Sequence, residues 1–169
     1  DYGEYVQDMH EFMEQVVKKH SLTHKYYLYA HSMGGAIGTL FLEKYPEVFE
    51  RAVLSSPMLQ VNFGKNPTWL VKVLMVLSRI LRWDLKYVPR QKRFDHVYVF
   101  ATSSSTSEPR YAYIFNQREQ VPQYTSYGGT YAWTRASIKA TKQIARDAGK
   151  VQVYRDDGGG ADTQMESGK

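Results

Sequence analysis

Ser32 stands in the run Ala30-His31-Ser32-Met33-Gly34, with Gly35 directly after it. The pattern is small-x-Ser-x-Gly, the nucleophile elbow G-x-S-x-G with alanine in its first place. Its chemistry is acyl transfer. A serine hydroxyl attacks a carbonyl carbon, a base takes its proton, and nearby N–H groups bear the charge that develops on the oxygen. The small residues have a steric role. A strand must turn into a helix within a few residues and hold the serine in a strained backbone conformation with its Oγ exposed, so Ala30 and Gly34 are expected to be small to avoid collision across the turn. Met33 follows the serine. Its backbone N–H, at the start of the helix, is the expected oxyanion donor. His31 is adjacent to Ser32 and tempting as its base, but neighbouring residues at such a turn point apart, so it reads as a structural neighbour.

The flanking sequence supplies the elements this serine requires. Residues 4–20 place Tyr5, Val6, Met9, Phe12, Met13, Val16 and Val17 at helical spacing, with Glu, Gln, Asp and Lys opposite. Lys25 to Ala30 reads as a short aromatic strand. Gly34 to Tyr45 reads as a helix stopped by Pro46, and Arg51 to Pro57 as a second buried strand. Helix, strand, helix, strand predicts a parallel sheet with helices on its faces.

After Pro57 the texture changes. Asn66 and Pro67 predict a helix start, and the helix to about Trp83 is apolar on nearly all sides, so it must be buried or face something greasy. Arg79, Arg82, Lys86, Arg90, Lys92 and Arg93 then crowd around a single acid, Asp84, up to Phe94. They form either a solvated face or a surface for anionic head groups. Ser107 and Pro109 predict another helix start. A last helix runs from Thr130 or Tyr131 to Ala148 and ends at Gly149. Residues 58–149 therefore read as a mostly helical insertion. Tyr111, Tyr113, Tyr127, Tyr131 and Trp133 either pack its core or line an acyl pocket. Residues 150–169 begin as a strand, which the Asp156, Asp157 and triple-glycine stretch opposes.

Composition sets outer limits. The chain has 169 residues, 43% hydrophobic and 23% charged, the values of a globular domain. It has no cysteine, which removes disulfides and thiolate metal sites. Its net charge of +5 favours anionic partners without choosing among them. No basic start followed by an apolar stretch marks a signal peptide. A chain opening on Asp1 rather than Met reads as a fragment. Trp69 to Leu81 is the most apolar run, but it is too short for a membrane span and carries Lys72 and Arg79.

The run from Tyr26 to Phe49, with Leu54-Ser55-Ser56-Pro57-Met58, resembles the α/β-hydrolases of the serine-hydrolase group that includes monoacylglycerol lipases. The stretch from Thr102 to Ala140, with Gly128, Gly129, Tyr131 and Trp133, is similar to the cap of bacterial lysophospholipases of the L2 type. The resemblance spans roughly residues 2–153. It implies an α/β fold: a partial α/β-hydrolase core over 1–57, a helical cap over 58–149, and a returning core segment over 150–169. It implies hydrolysis of the acyl ester of a lysophospholipid or monoacylglycerol through an acyl-enzyme on Ser32, with no metal or cofactor. The partners it implies are a lipid ester and, peripherally, an anionic membrane surface rather than nucleic acid. That fits a cytoplasmic or inner-membrane-associated location.

In this fold the acid and then the histidine follow the serine along the chain. Gly160 to Lys169 matches the acid's motif with Asp162 as the acid and Met165 in the apolar slot. The apolar strand expected before it is replaced by Tyr154 to Gly160, as a local reading-frame error would do. His10, His20, His24 and His31 precede Ser32, and His96 lies in the insertion, so the resemblance puts the catalytic histidine beyond Lys169. A further oxyanion donor belongs before Asp1. The chain by itself is therefore expected to turn over little or no ester. Other α/β-hydrolase activities, an aminopeptidase or a general carboxylesterase, are alternatives, as is a non-catalytic membrane-binding remnant.

Overall fold

The computed structural model describes residues 1–103 and 105–151, and the backbone of 153–155 and 161–163. Two compact units emerge: residues 1–72 with 135–169, and residues 73–134. Residues 58–72 and 135–149, assigned to the insertion by sequence, thus group with the first unit.

The first unit begins with α1 (Tyr2–Phe12), capped by the Asp1 carboxylate, which accepts from the Gly3 N–H at 2.7 Å. The same helical path continues through a π-turn (Met13–Val17) into α2 (Lys18–His20). Strand β1 (Tyr27–His31) leads into α3 (Met33–Lys44), and β2 (Arg51–Ser55) pairs parallel to β1, Tyr27 opposite Arg51 and His31 opposite Ser55. The strand, the helix and the second strand all lie within a residue or two of expectation. A parallel pair needs a crossover helix, and α3 is that crossover.

The core lies under α3. Phe41 is fully buried, with Leu40, Leu42 and Phe49 around it, Tyr2, Val6 and Met13 from the N-terminal helix, and Ala140 and Ile144 from α6 (Tyr131–Asp147). Tyr2 ties α1 to α6, its hydroxyl 3.0 Å from Ser137 Oγ. The strands are covered on one face only. Ala30 is buried, whereas Tyr27, Tyr29 and Val53 on the other face are well exposed, Tyr29 at 72%. Helix α6 does not end on a left-handed Gly149. It tightens into a 3-10 turn (Ala148–Lys150), which takes up its last carbonyls without a positive φ. Beyond it β3 (Val153–Arg155) and β4 (Ala161–Thr163) pair antiparallel, in a ladder separate from β1 and β2.

The second unit holds most of α4 (Thr68–Ile80) and all of α5 (Glu108–Gln120). Helix α4 starts one residue late, because Asn66 Nδ2 turns back to the Phe63 carbonyl at 2.8 Å. Its faces are unequally covered. Val71, Met75 and Ser78 are buried, but Trp69, Val73, Val76 and Ile80 are exposed. In α5, Ser107 is the N-cap residue and Pro109 sits in the first turn. Phe94, Tyr98, Tyr111 and Phe115 form one aromatic cluster. The segment before α6 zips onto residues 86–92: Tyr131 N–H donates to Lys86 O, Val88 N–H to Gly129 O, and Gly128 N–H to Lys92 O. A Cβ on Gly128 would fall 2.9 Å from the Lys92 nitrogen, so the first glycine of the pair permits this contact.

One buried group carries a pH dependence. Both carboxylate oxygens of Glu43 on α3 are buried and lack a hydrogen-bond partner among the described residues. Burial first, and the Asp147 charge second, push its acid up to about 7, with Lys150 and Arg146 opposing. An acid raised in the fold above its ordinary 4.5 favours folding fully only below 4.5 and loses that contribution as pH climbs through 7. Glu43→Met should therefore raise the melting temperature at pH 8 by a few degrees, on the order of 1–3 kcal/mol, and by much less at pH 5. Melting curves of both proteins across that range measure it; an equal gain at both pH values would contradict it.

Candidate active site

Ser32 joins β1 to α3 with φ 52° and ψ −121°. For a residue with a Cβ this conformation costs about 1–3 kcal/mol and persists only where the surroundings fix it. Here the surroundings are the exit from β2. Ser32 N–H donates to the Ser55 carbonyl at 3.2 Å, and the Ser32 carbonyl accepts from the Met58 N–H at 2.9 Å. The same carbonyl receives the Ala36 N–H at 3.2 Å, the first hydrogen bond of α3. Ser56, in the segment that grips the elbow, itself has φ 44°. Ser32 is exposed at the end of its strand, and Met33 opens α3, where the N–H groups form the positive end of the helix dipole.

The small residues act differently from the sequence expectation. Gly34 has open space around its Cβ position, so smallness there is not what the turn requires. The tight place is Gly35, where a Cβ would stand 2.7 Å from both Cα and Cβ of Pro57. Ala30 is small for a related reason. It faces Gly38 one turn further along α3, where a Cβ would come within 3.2 Å of the alanine methyl. Spacing could not reveal that Pro57 rests on Gly35, because the contact joins two segments separated by a helix and a strand. The signal was the proline itself, closing a strand whose end must fold back over the elbow.

None of the five histidines hydrogen-bonds Ser32 among the described residues. His31 Nδ1 lies 3.3 Å from Ser55 Oγ on the exposed side of the strand pair. His10 stacks on Tyr45 with ring centres 4.2 Å apart, and His20 Nδ1 contacts the Val16 carbonyl. His24 Nδ1 lies 3.4 Å from the Tyr26 hydroxyl. Within the second unit, His96 Nδ1 lies 2.9 Å from a Glu119 carboxylate oxygen. Asp162 sits on β4, its backbone opposite Tyr154, and its side chain falls outside the described residues. So do residues 156–160, where the interrupted strand was expected. Among the aromatic residues weighed for an acyl pocket, Tyr131 is buried against Trp83, while Tyr113 and Tyr127 are exposed. No group of three or more histidine or carboxylate side chains that could hold a metal occurs among the described residues. A cavity of about 460 Å³ lies against α1, α3 and α6, lined by Glu43, Lys139 and Asp147 among others, but Ser32 does not line it.

Paired substitutions test which glycine the elbow depends on. Gly35→Ala should cost about 1–3 kcal/mol of stability, the penalty of overpacking against backbone that cannot give way. Gly34→Ala should be neutral or gain up to about 1 kcal/mol from helix propensity. Denaturant titration of the two variants should separate them in that order, and equal costs would contradict the assignment.

Comparison with known proteins agrees with this geometry. Residues 1–154 match the family model for serine aminopeptidase, S33. The chain is 31% identical over 159 residues to lysophospholipase L2 of Escherichia coli K12, covering 88% of this chain and 43% of that protein. It is 26% identical over 149 residues to the "Probable lysophospholipase L2" of Haemophilus influenzae, covering 88% of this chain and 47% of that one. It thus spans less than half the length of these curated relatives. Among solved structures, the monoacylglycerol lipase of Paleococcus ferrophilus superposes with a TM-score of 0.52 at 18% identity, over 88% of this chain and 51% of that one. The strained serine between parallel strand and helix and the family match over most of its length make this chain a member of the serine aminopeptidase S33 family of α/β-hydrolases, related to lysophospholipase.

Proposed function

We propose that the chain carries the nucleophile of a serine ester hydrolase whose substrate is the acyl ester of a lysophospholipid or monoacylglycerol. The observation that supports this most is Ser32 itself. A strained, exposed serine at the mouth of a helix is costly for a module that only binds, and it is what covalent acyl transfer needs. In this reading Ser32 Oγ attacks the ester carbonyl, the Met33 N–H donates to the oxyanion, and the alcohol of the lipid leaves. Water then releases the fatty acid from Ser32. In this reading Asp162 is the acid that orients the histidine serving as the base. The relatives' names support a lipid ester. The family's name, serine aminopeptidase, supports the second reading, an aminoacyl substrate.

A fluorophosphonate, which modifies activated serines, tests both points without needing turnover. With imidazole added as an external base, the adduct should map to the Ser32 peptide by mass spectrometry and be absent from Ser32→Ala. Lysophosphatidylcholine should slow labelling at concentrations where an aminoacyl ester does not. Adducts spread over several serines would overturn the nucleophile, and protection by the aminoacyl ester alone would move the substrate class to the second reading.

A further inference from the structure

The cavity of about 460 Å³ against α1, α3 and α6 takes no part in the chemistry at the elbow, because Ser32 does not line it. Its apolar wall includes Val6, Leu40, Ala136 and Ala140. Most of its charged groups are matched. Lys139 Nζ stands 3.7 Å from an Asp1 carboxylate oxygen, and Asp147 pairs with Arg146 at 2.9 Å and with Lys150 at 3.4 Å. Lys44 lies over the Tyr45 ring, 4.9 Å from its centre. Glu43 is the exception. Both of its carboxylate oxygens are buried, and neither has a hydrogen-bond partner among the described residues. Burial above all, with the Asp147 charge second, pushes its acid up to about 7, the behaviour of a carboxylate without a sufficient counter-charge. A buried carboxylate left in this state costs stability.

We propose that this cavity binds a small primary alkylammonium, whose N–H groups bond the Glu43 carboxylate and whose apolar chain lies on Val6, Leu40, Ala136 and Ala140. Glu43 lacks a hydrogen-bond donor and a positive charge, and an ammonium group supplies both, with its N–H donors gathered on one cation. Glu43 lines the cavity, and rotation about its side-chain torsions turns the carboxylate onto a ligand there. The volume falls among those of pockets that take small molecules, about 300–1,000 Å³. The apolar wall suits an alkyl chain better than a fully hydrated ion. An anion would meet Glu43 and Asp147 as like charges. A metal ion does not fit, since no three histidine or carboxylate side chains among the described residues converge to hold one. The site goes beyond the ester hydrolysis proposed above and does not depend on Ser32 chemistry.

Calorimetric titration of the 169-residue chain with n-butylammonium chloride, at pH 8 and constant ionic strength, tests it. Binding should saturate at a single site. Tetramethylammonium, which has the charge without an N–H, and butyrate, which has the chain without the cation, should each bind roughly tenfold more weakly or worse. Glu43→Gln keeps the size of the side chain and removes its charge, and it should lower the affinity for butylammonium about tenfold or more. Ala136→Leu fills part of the cavity without touching a charge and should weaken binding as well. Circular dichroism should show the parent's helix content in both variants, and Ser32→Ala should bind as the parent does. Heats that never saturate, equal binding of tetramethylammonium, or an affinity that Glu43→Gln leaves unchanged would overturn the inference and leave the Glu43 carboxylate to water or to its own proton.

Discussion

The backbone of Ser32, held at positive φ, is the constraint on which the first unit is organised. A serine does not adopt this conformation unless neighbouring segments hold it there. The holding segment is the end of β2, which receives the Ser32 N–H at Ser55 and returns the Met58 N–H to the Ser32 carbonyl. That grip requires Pro57 to lie against α3, and Gly35 is the residue that lets it. The parallel register of β1 and β2 sets the two strand ends side by side, His31 opposite Ser55, so the pairing and the elbow are one arrangement. The packing beneath follows from it. Phe41 and Leu40 project from α3 into the core two turns below the serine, fixing the helix that Met33 opens.

Local chemistry was the readable part of the sequence. The strand before Ser32, the helix after it and the second strand emerge from alternation, glycine and proline signals that act within a few residues. The start of α5 at Ser107 and Pro109 is legible for the same reason. What the sequence hid were contacts between distant segments. Gly34 and Gly35 look alike in the chain, and only the return of β2 decides which of them must lack a Cβ. Helix α4 shows the other kind of hidden information. Its all-round apolar composition says that it needs cover, and only the fold shows that one face has none from the described residues. Gly149 is a third case: glycine permits a left-handed stop but does not impose one, and the chain ended its helix with a 3-10 turn instead.

The two units concentrate different physics. In the first, aromatic and aliphatic side chains from α1, α3 and α6 pack a core, and beside it the Glu43 carboxylate is buried with no hydrogen-bond partner among the described residues. In the second, tyrosines and phenylalanines cluster around α5, short backbone contacts join residues 86–92 to 128–131, and cations outnumber acids along the chain after α4.

The central claim is that strain at Ser32 is real and is held from β2. Replacing Ser32 with glycine measures it most directly, because glycine reaches positive φ without a steric penalty. Set against the greater entropy that glycine gives the unfolded chain, relief of about 1–3 kcal/mol of strain should leave Ser32→Gly more stable by about 1 kcal/mol. For a chain of this size that is a rise in melting temperature of about 2–4 °C. A glycine variant no more stable than the parent, or less stable, would mean that Ser32 bears no strain, and the account of the elbow would be contradicted.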